Sequence, residues 1–82
     1  MQREEIINQV QDIFRDVLDE EEIILGDTTT ADEVEGWDSL SHIQLVVGIE
    51  KHFNIKFTSK EILSWKNVGE LIDCIALKIN RQ

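Results

Sequence analysis

Apolar residues in the first eighteen positions recur at intervals of three and four, which is the spacing of one face of an α-helix. Glu4 and Glu5 fall in the first turn of this pattern, where carboxylates complement the positive end of the helix dipole. The pattern therefore predicts a first amphipathic helix over residues 4–18. Its apolar face consists of Ile6, Ile7, Val10, Ile13, Phe14, Val17 and Leu18.

The helical spacing is lost between residues 19 and 37. Gly26, Asp27 and three successive threonines in this stretch favour local hydrogen bonds over continued helix. A loop longer than about 12–15 residues in a compact domain is usually functional or is fixed by its own apolar side chains. We expect a long loop that packs across the helices, with apolar anchors at Ile23, Ile24, Leu25, Val34 and Trp37.

A second helix is predicted to begin at Asp38 or Ser39 and to end near Phe53. Its apolar stripe is wider than a surface helix needs, so we divide it into two sets. The set expected to face the core is Leu45, Val46, Ile49 and Phe53. The set expected nearer to solvent is Leu40, Ile43 and Val47. An exposed apolar edge beside polar residues is typical of a docking surface.

The last third of the chain contains an extended connector at residues 54–57 and two further helix starts. Thr58 and Glu61 form a capping box that opens a short helix ending near Trp65, and Asn67 with Glu70 repeats the spacing. The final helix carries Val68, Leu71, Ile72, Ile75 and Ile79, with Lys78 and Arg81 suiting the dipole at its C-terminal end. The chain is thus predicted to be an all-α, small four-helix bundle with three main helices, one short helix and a long loop between the first and second.

The net charge of the chain limits the classes of partner that it can bind. The 82 residues contain 8 Lys and Arg against 17 Asp and Glu, which gives a net charge of −9. Such a surface repels phosphate backbones and anionic lipid headgroups, so nucleic acid and membrane insertion are disfavoured and a basic protein surface is favoured. High charge on a small bundle also favours a monomer.

Size and composition narrow the class of protein. A chain this short leaves little room for an enclosed active site, which argues against an autonomous enzyme. There are no prolines, only four glycines and no internal repeat, so we expect one domain over residues 1–82. The chain shows no basic-then-apolar leader and no apolar run near the roughly 20 residues that cross a bilayer, and we expect a cytoplasmic protein.

Most of the candidate catalytic and metal-binding sites lack a residue that their chemistry requires. The single cysteine, Cys74, cannot form an intrachain disulfide and is interpreted as an inert thiol. His42 and His52 are too far apart for a metal site and are interpreted as solvated helix residues. A Ser39–His42 dyad has nothing identifiable to orient the imidazole. The acidic stretch 27–38 has the length of a calcium loop but lacks the glycine and the final glutamate.

The junction of the long loop with the second helix remains. A serine in the first turn of a helix is held by the backbone and points outward, within reach of a large partner. The simpler interpretation is that Asp38 or Ser39 only caps the helix, a role these residue types commonly fill. The residues around the junction decide between the two.

These residues resemble the acyl carrier proteins and their peptidyl and D-alanyl carrier relatives. The resemblance covers most of the chain and is strong because the motifs are ordered at the family's spacings in an acidic chain of this length. The motifs are Asp38-Ser39-Leu40, Leu45-Val46, Ile49-Glu50, Phe53-Asn54-Ile55, Phe57, Glu61-Ile62 and Val68-Gly69-Glu70-Leu71-Ile72.

The resemblance implies a freestanding, non-catalytic carrier. Ser39 would receive 4'-phosphopantetheine from coenzyme A through a phosphopantetheinyl transferase that uses Mg²⁺, and the arm's thiol would hold acyl groups as thioesters. Asp38 would cap the helix and help present the serine. The pathways implied are fatty acid, polyketide or related acyl-transfer biosynthesis. No metal site is expected in the chain itself.

Acyl-loading and acyl-processing enzymes of this family dock basic patches on the second helix. Here Leu40, Ile43 and Val47 would supply apolar contacts, Trp37 could touch the partner or the arm, and His42 could contact the phosphate of the arm. Negative charge would come from Glu33, Glu35, Asp38, Glu50 and Glu61. The stretch Ser41-His42-Ile43-Gln44 and the pair Lys51-His52 make this face less acidic than in fatty-acid-type carriers, which favours a dedicated pathway.

Two alternatives stay open at this point. A peptidyl or D-alanyl carrier would share the fold and the serine but would be loaded by an adenylation enzyme. An unmodified acidic helical adaptor would use Ser39 only as a cap, so that its replacement would cost about 1 kcal/mol and leave function intact.

Overall fold

The computed structural model describes residues 2–80, which form four α-helices and, within that range, no strand. The helices are α1 (Arg3–Val17), α2 (Ser39–Phe53), α3 (Ser59–Ser64) and α4 (Val68–Asn80). The predicted all-α bundle with one short helix and a long loop between α1 and α2 is confirmed. Arg81, expected near the end of the last helix, lies outside the described residues. None of the helices in residues 2–80 is both long and apolar enough to cross a bilayer.

The core lies where the apolar faces of α1, α2 and α4 meet. Phe14, Ile72 and Ile75 are fully buried there, and Leu45 and Ile49 of α2 are almost so. The predicted division of α2 is confirmed, because its core-facing set is buried while Leu40, Ile43 and Val47 are 69%, 61% and 42% exposed. The second helix therefore presents an apolar edge to solvent while its opposite side completes the core.

Three of the five predicted apolar anchors fix the long loop by burial in the core. Ile23, Leu25 and Val34 are buried, and Trp37 is half-buried against the core. The prediction is wrong for Ile24, which is 79% exposed. Its two neighbours point to the core, and the side chain between them points to the opposite side. The loop also contains a short 3₁₀ turn at Ala31–Glu33 that the sequence pattern did not indicate.

Backbone hydrogen bonds tie the middle of the loop to the first turn of α4. The N–H of Val68 donates to the carbonyl of Thr29 and that of Gly69 to the carbonyl of Asp27, each at 2.8 Å. These bonds satisfy two of the N–H groups that a helix start leaves without partners. A Cβ at position 69 would lie 2.7 Å from the Asp27 oxygen, so only glycine allows this approach. Arg3 adds ion pairs to Asp27 and Asp73.

The short helix α3 is held differently, because none of its residues is buried. Its predicted capping box is present, with the N–H of Thr58 donating to Glu61 at 2.8 Å and the N–H of Glu61 donating to the Thr58 hydroxyl at 3.1 Å. Glu61 also pairs with Lys78 of α4 at 2.9 Å. The Thr58 N–H, and then Lys78, lower the pKa of Glu61 to about 2.

The lowered pKa of Glu61 predicts an acid-sensitive contribution to stability. Because the unfolded chain binds this proton more readily, the contribution is full above pH about 4.5 and is lost as the pH falls toward about 2. Urea unfolding of Glu61→Gln should show a shallower fall over this window and lower stability at pH 7, since glutamine keeps the capping box without the charge. Lys78→Met should also make the fall shallower. A fall as steep as in the parent protein for both variants would contradict this assignment.

Candidate functional site

The start of α2 is fixed by a compact set of hydrogen bonds. The Ser41 hydroxyl donates to the carbonyl of Gly36 at 2.6 Å and accepts from the N–H of Asp38 at 2.8 Å. The Asp38 carboxylate accepts from the N–H groups of Leu40 and Ser41, each at 3.0 Å. Gly36 has φ of 89°, a conformation that favours glycine. The loop is thus turned sharply and joined to the first turn of the helix.

Asp38 caps α2, as the sequence predicted. The backbone N–H of Ser41, with smaller help from the Ser41 hydroxyl and the N–H of Leu40, holds the pKa of the Asp38 carboxyl below its usual range. Ser41 was not predicted from the sequence to have a capping role; it is 8% exposed and carries the return half of the capping box. The available signal was the aspartate followed by serine three residues later, a variant of the usual pairing of a cap with Glu or Gln.

Ser39 is the first residue of α2 and is exposed, as expected. Among the described residues none engages its hydroxyl in a hydrogen bond. The bonds of Asp38 and Ser41 hold the backbone on both sides of Ser39, so its side chain leaves the helix in a fixed direction. This combination suits a group that a second protein must reach and modify.

A cleft of about 510 Å³ opens beside Ser39, between α2 and α3. Its lining is mainly apolar and includes Trp37, Ile43, Ile62, Leu63 and Trp65. Asp38 and Lys66 supply the charged side chains of the lining. An apolar cleft next to a free hydroxyl can take up an apolar chain attached at that hydroxyl.

An aromatic row runs from the core to the connector before α3, and three of its rings line the cleft, those of Trp37, His42 and Trp65. Its ring centroids lie 4.9 Å apart for Phe14 and Trp37, 6.0 Å for Trp37 and His42, 5.9 Å for His42 and Trp65, and 4.8 Å for Trp65 and Phe57. Such ring pairs add to the stability that area burial provides. The row places Trp37 firmly, and whether it also touches a partner stays a prediction.

The interpretation of His42 as a solvated residue is wrong. Its ring is half-buried, with Trp37 Nε1 3.0 Å from its Nδ1 and the carbonyl oxygen of Ile62 3.3 Å from its Nε2. Both ring nitrogens are therefore engaged away from Ser39, which removes the basis for a Ser39–His42 dyad. His52 is exposed, as expected, and contacts Gln9.

The remaining candidate docking residues are placed as follows. Glu35 is exposed, whereas Glu50 is half-buried and accepts a hydrogen bond from the N–H of Phe57 at 2.9 Å. Glu50 therefore fixes the connector after α2, and only part of its carboxylate remains for a partner. Glu33 likewise accepts from the N–H of Thr30 at 3.1 Å, within the 3₁₀ turn.

The Cys74 thiol and possible metal-binding clusters are the other candidate sites. Burial, followed by the charge of Glu61, raises the pKa of the half-buried Cys74 thiol, which agrees with its interpretation as inert. Across residues 2–80, the fold brings together no group of three His, Cys, Asp or Glu side chains suited to hold a metal ion.

Comparisons with known proteins agree with this geometry. Residues 8–75 match the family described as "Phosphopantetheine attachment site". The chain is 35% identical to the acyl carrier protein of Cyanidium caldarium over 81 residues, which is 98% of this chain and 93% of that protein. It is 41% identical to the holo acyl carrier protein of Geobacter metallireducens, whose solution NMR structure it matches with a TM-score of 0.87 over 93% of this chain and 87% of that one.

Matches of this extent to sequence and structure alike decide the identity of the fold and of its prosthetic group. The chain belongs to the acyl carrier protein family, whose members are carriers rather than catalysts, and its prosthetic group is covalently attached 4'-phosphopantetheine.

Proposed function

We propose that Ser39 is the attachment residue and that the protein carries acyl intermediates for fatty acid, polyketide or related acyl-transfer biosynthesis. The observation that carries the proposal is the free, exposed hydroxyl at the first position of α2, held between the bonds of Asp38 and Ser41. The cleft beside it also fits the group, since an arm attached at Ser39 has an apolar surface within reach.

The residues around Ser39 prepare it for attack but do not activate it. The Asp38 carboxylate already accepts two backbone N–H groups, and its pKa is lowered, so it is a poor base for the serine proton. In the transfer, the Ser39 oxygen attacks the phosphorus on the pantetheine side of coenzyme A and forms the phosphodiester bond. The pyrophosphate bond breaks, adenosine 3',5'-bisphosphate leaves, and the serine proton passes to a base of the transferase. Because the transferase supplies the base, the carrier needs an oriented hydroxyl but no catalytic base of its own.

The bound phosphopantetheine supplies a terminal thiol that holds the acyl group as a thioester. The chain's own part is to keep that group close to an apolar surface. Trp37, Ile43 and Trp65 line the cleft and can cover an acyl chain that would otherwise expose apolar area to water. Cys74, with its raised pKa, is a poor substitute for the arm's thiol.

We place the docking surface for the phosphopantetheinyl transferase and the acyl-processing enzymes on the exposed edge of α2. Leu40, Ile43 and Val47 form an apolar edge within a few turns of Ser39. The net charge of −9 steers the whole molecule toward cationic partners. The second helix itself is less acidic than in fatty-acid-type carriers, because it contains His42, Gln44, Lys51 and His52. This difference supports a dedicated pathway over a primary fatty acid synthase.

The attachment at Ser39 predicts a result in intact-protein mass spectrometry. After incubation with coenzyme A, Mg²⁺ and a broad-specificity phosphopantetheinyl transferase, the parent protein should gain one phosphopantetheinyl mass and Ser39→Ala none. Ser59→Ala is the matched control, because Ser59 is likewise an exposed first residue of a helix after a capping side chain. It should be modified as fully as the parent. Modification of Ser39→Ala would contradict the assignment. So would the absence of modification in both the parent and Ser59→Ala, which retain Ser39.

Loading assays then separate the classes of cargo. An acyl-ACP synthetase should load the modified protein with an acyl group, whereas an adenylation enzyme should not load it with an amino acid. Aminoacylation in place of acylation would favour the peptidyl or D-alanyl alternative.

The docking surface predicts a kinetic effect without loss of stability. Ile43→Asp should lower kcat/KM of the transferase at least about tenfold, since burying a new carboxylate in an apolar contact is costly. Leu77→Asp, at a residue of α4 that is 54% exposed, should stay within about twofold of the parent. Equal effects of the two substitutions would show that the transferase does not dock on this edge of α2.

A further inference from the structure

His42 connects three parts of the chain through one imidazole. Trp37 Nε1 can only donate, so His42 Nδ1, 3.0 Å away, must accept. The carbonyl oxygen of Ile62 can only accept, so His42 Nε2, 3.3 Å away, must carry the proton. Both contacts are satisfied by the tautomer that carries its proton at Nε2. They also join the end of the loop, α2 and α3 at the side of the cleft.

The imidazole helps to fix α3 relative to α2, beside the packing of Phe57 and Trp65 against the core at the two ends of α3. None of the α3 side chains is buried, and the ion pair of Glu61 with Lys78 ties α3 to α4. Within residues 2–80, the contact of His42 with Ile62 is the hydrogen bond that joins α2 directly to α3. A short helix with few buried contacts belongs to the part of a fold that opens most easily.

We propose that His42 is a positioning residue that sets the width of the cleft by holding α3 against α2. The inference rests on attachment at Ser39, because the cleft matters as the place beside that residue where an attached acyl chain is covered. Ile62 and Leu63 of α3 face Trp37 and Ile43 across this cleft. Without the imidazole bonds, α3 would move away more often, and water and nucleophiles would enter.

The first test uses the unmodified protein. Long-range ¹H–¹⁵N spectra of the His42 ring should show the proton at Nε2; a proton at Nδ1 would overturn the proposal. The amide of Ile62, which donates to the Thr58 carbonyl at 3.0 Å, reports on opening of α3 through its hydrogen exchange. In His42→Phe, which keeps an aromatic ring and removes both hydrogen bonds, this exchange should be about tenfold faster.

Two variants make the result specific to the hydrogen bonds. His52→Phe replaces the exposed histidine of the same helix and should leave Ile62 exchange within about twofold of the parent. His42→Gln keeps a side-chain N–H that can reach the Ile62 carbonyl and should restore much of the slow exchange. Parent-like exchange in His42→Phe, or the same acceleration in His52→Phe, would overturn the proposal.

The second test uses the protein loaded with phosphopantetheine and an acyl group. Hydroxylamine should release the acyl group about fivefold faster from His42→Phe than from the parent, because the wider cleft shelters it less. Equal release rates would overturn the sheltering role. A parent protein that takes no phosphopantetheine would contradict attachment at Ser39, whereas the exchange measurements on unmodified protein judge the His42 contacts independently.

Discussion

The hydrogen bonds of the Ser41 hydroxyl are the constraint on which the functional end of the molecule depends. One small side chain binds the carbonyl of Gly36 and the N–H of Asp38, and so joins the end of a long loop to the first turn of α2. The Ser41 hydroxyl and the Asp38 carboxylate satisfy the backbone groups on either side of Ser39. The Ser39 side chain is not used in capping and faces solvent. The exposure of the serine follows from the burial of its neighbour two residues on.

The molecule divides into a firm part and a loosely held part. The firm part is the core of α1, α2 and α4, where Phe14, Ile72 and Ile75 are fully buried. The loosely held part is α3, which contributes no buried side chain and is attached by polar contacts and by the half-buried Phe57 and Trp65 at its two ends. With Ser39 as the proposed attachment residue, the core holds that residue at a fixed place, whereas a short helix with few buried contacts belongs to the part of a fold that opens most easily.

The sequence predicted the helices well because each main helix repeats an apolar face. The pair of Thr58 and Glu61 placed the start of α3, whereas for α2 the sequence left the choice between Asp38 and Ser39 open, and the structure shows Asp38 as the cap. The roles of Ser41 and His42 could not be read from local pattern. A serine inside a helix is unremarkable by composition, and the partners of His42 lie 5 and 20 residues away, at Trp37 and Ile62. Only the folded arrangement brings those partners together.

Ile24 shows the same limit from the opposite side. An apolar run in a loop indicates that some of its members are buried, but the loop's path decides which ones. Ile23 and Leu25 reach the core, and the intervening side chain stays 79% exposed. The structure places the three side chains alternately inward and outward, but a run of three apolar residues in a loop carries no polar position that would indicate this alternation.

The role of Ser41 in presenting Ser39 can be tested by the rate of phosphopantetheine transfer to Ser41→Ala, at a temperature where circular dichroism shows the variant to be folded. Ser39 is intact in this variant, but its presentation is not, and small misplacement of a reacting group costs between about tenfold and a hundredfold in rate. Ser64→Ala, which removes an exposed hydroxyl bonded to the Glu61 carbonyl at 2.7 Å, is the control. We expect such a fall for Ser41→Ala and none for the control. A parent-like rate for folded Ser41→Ala would contradict this role.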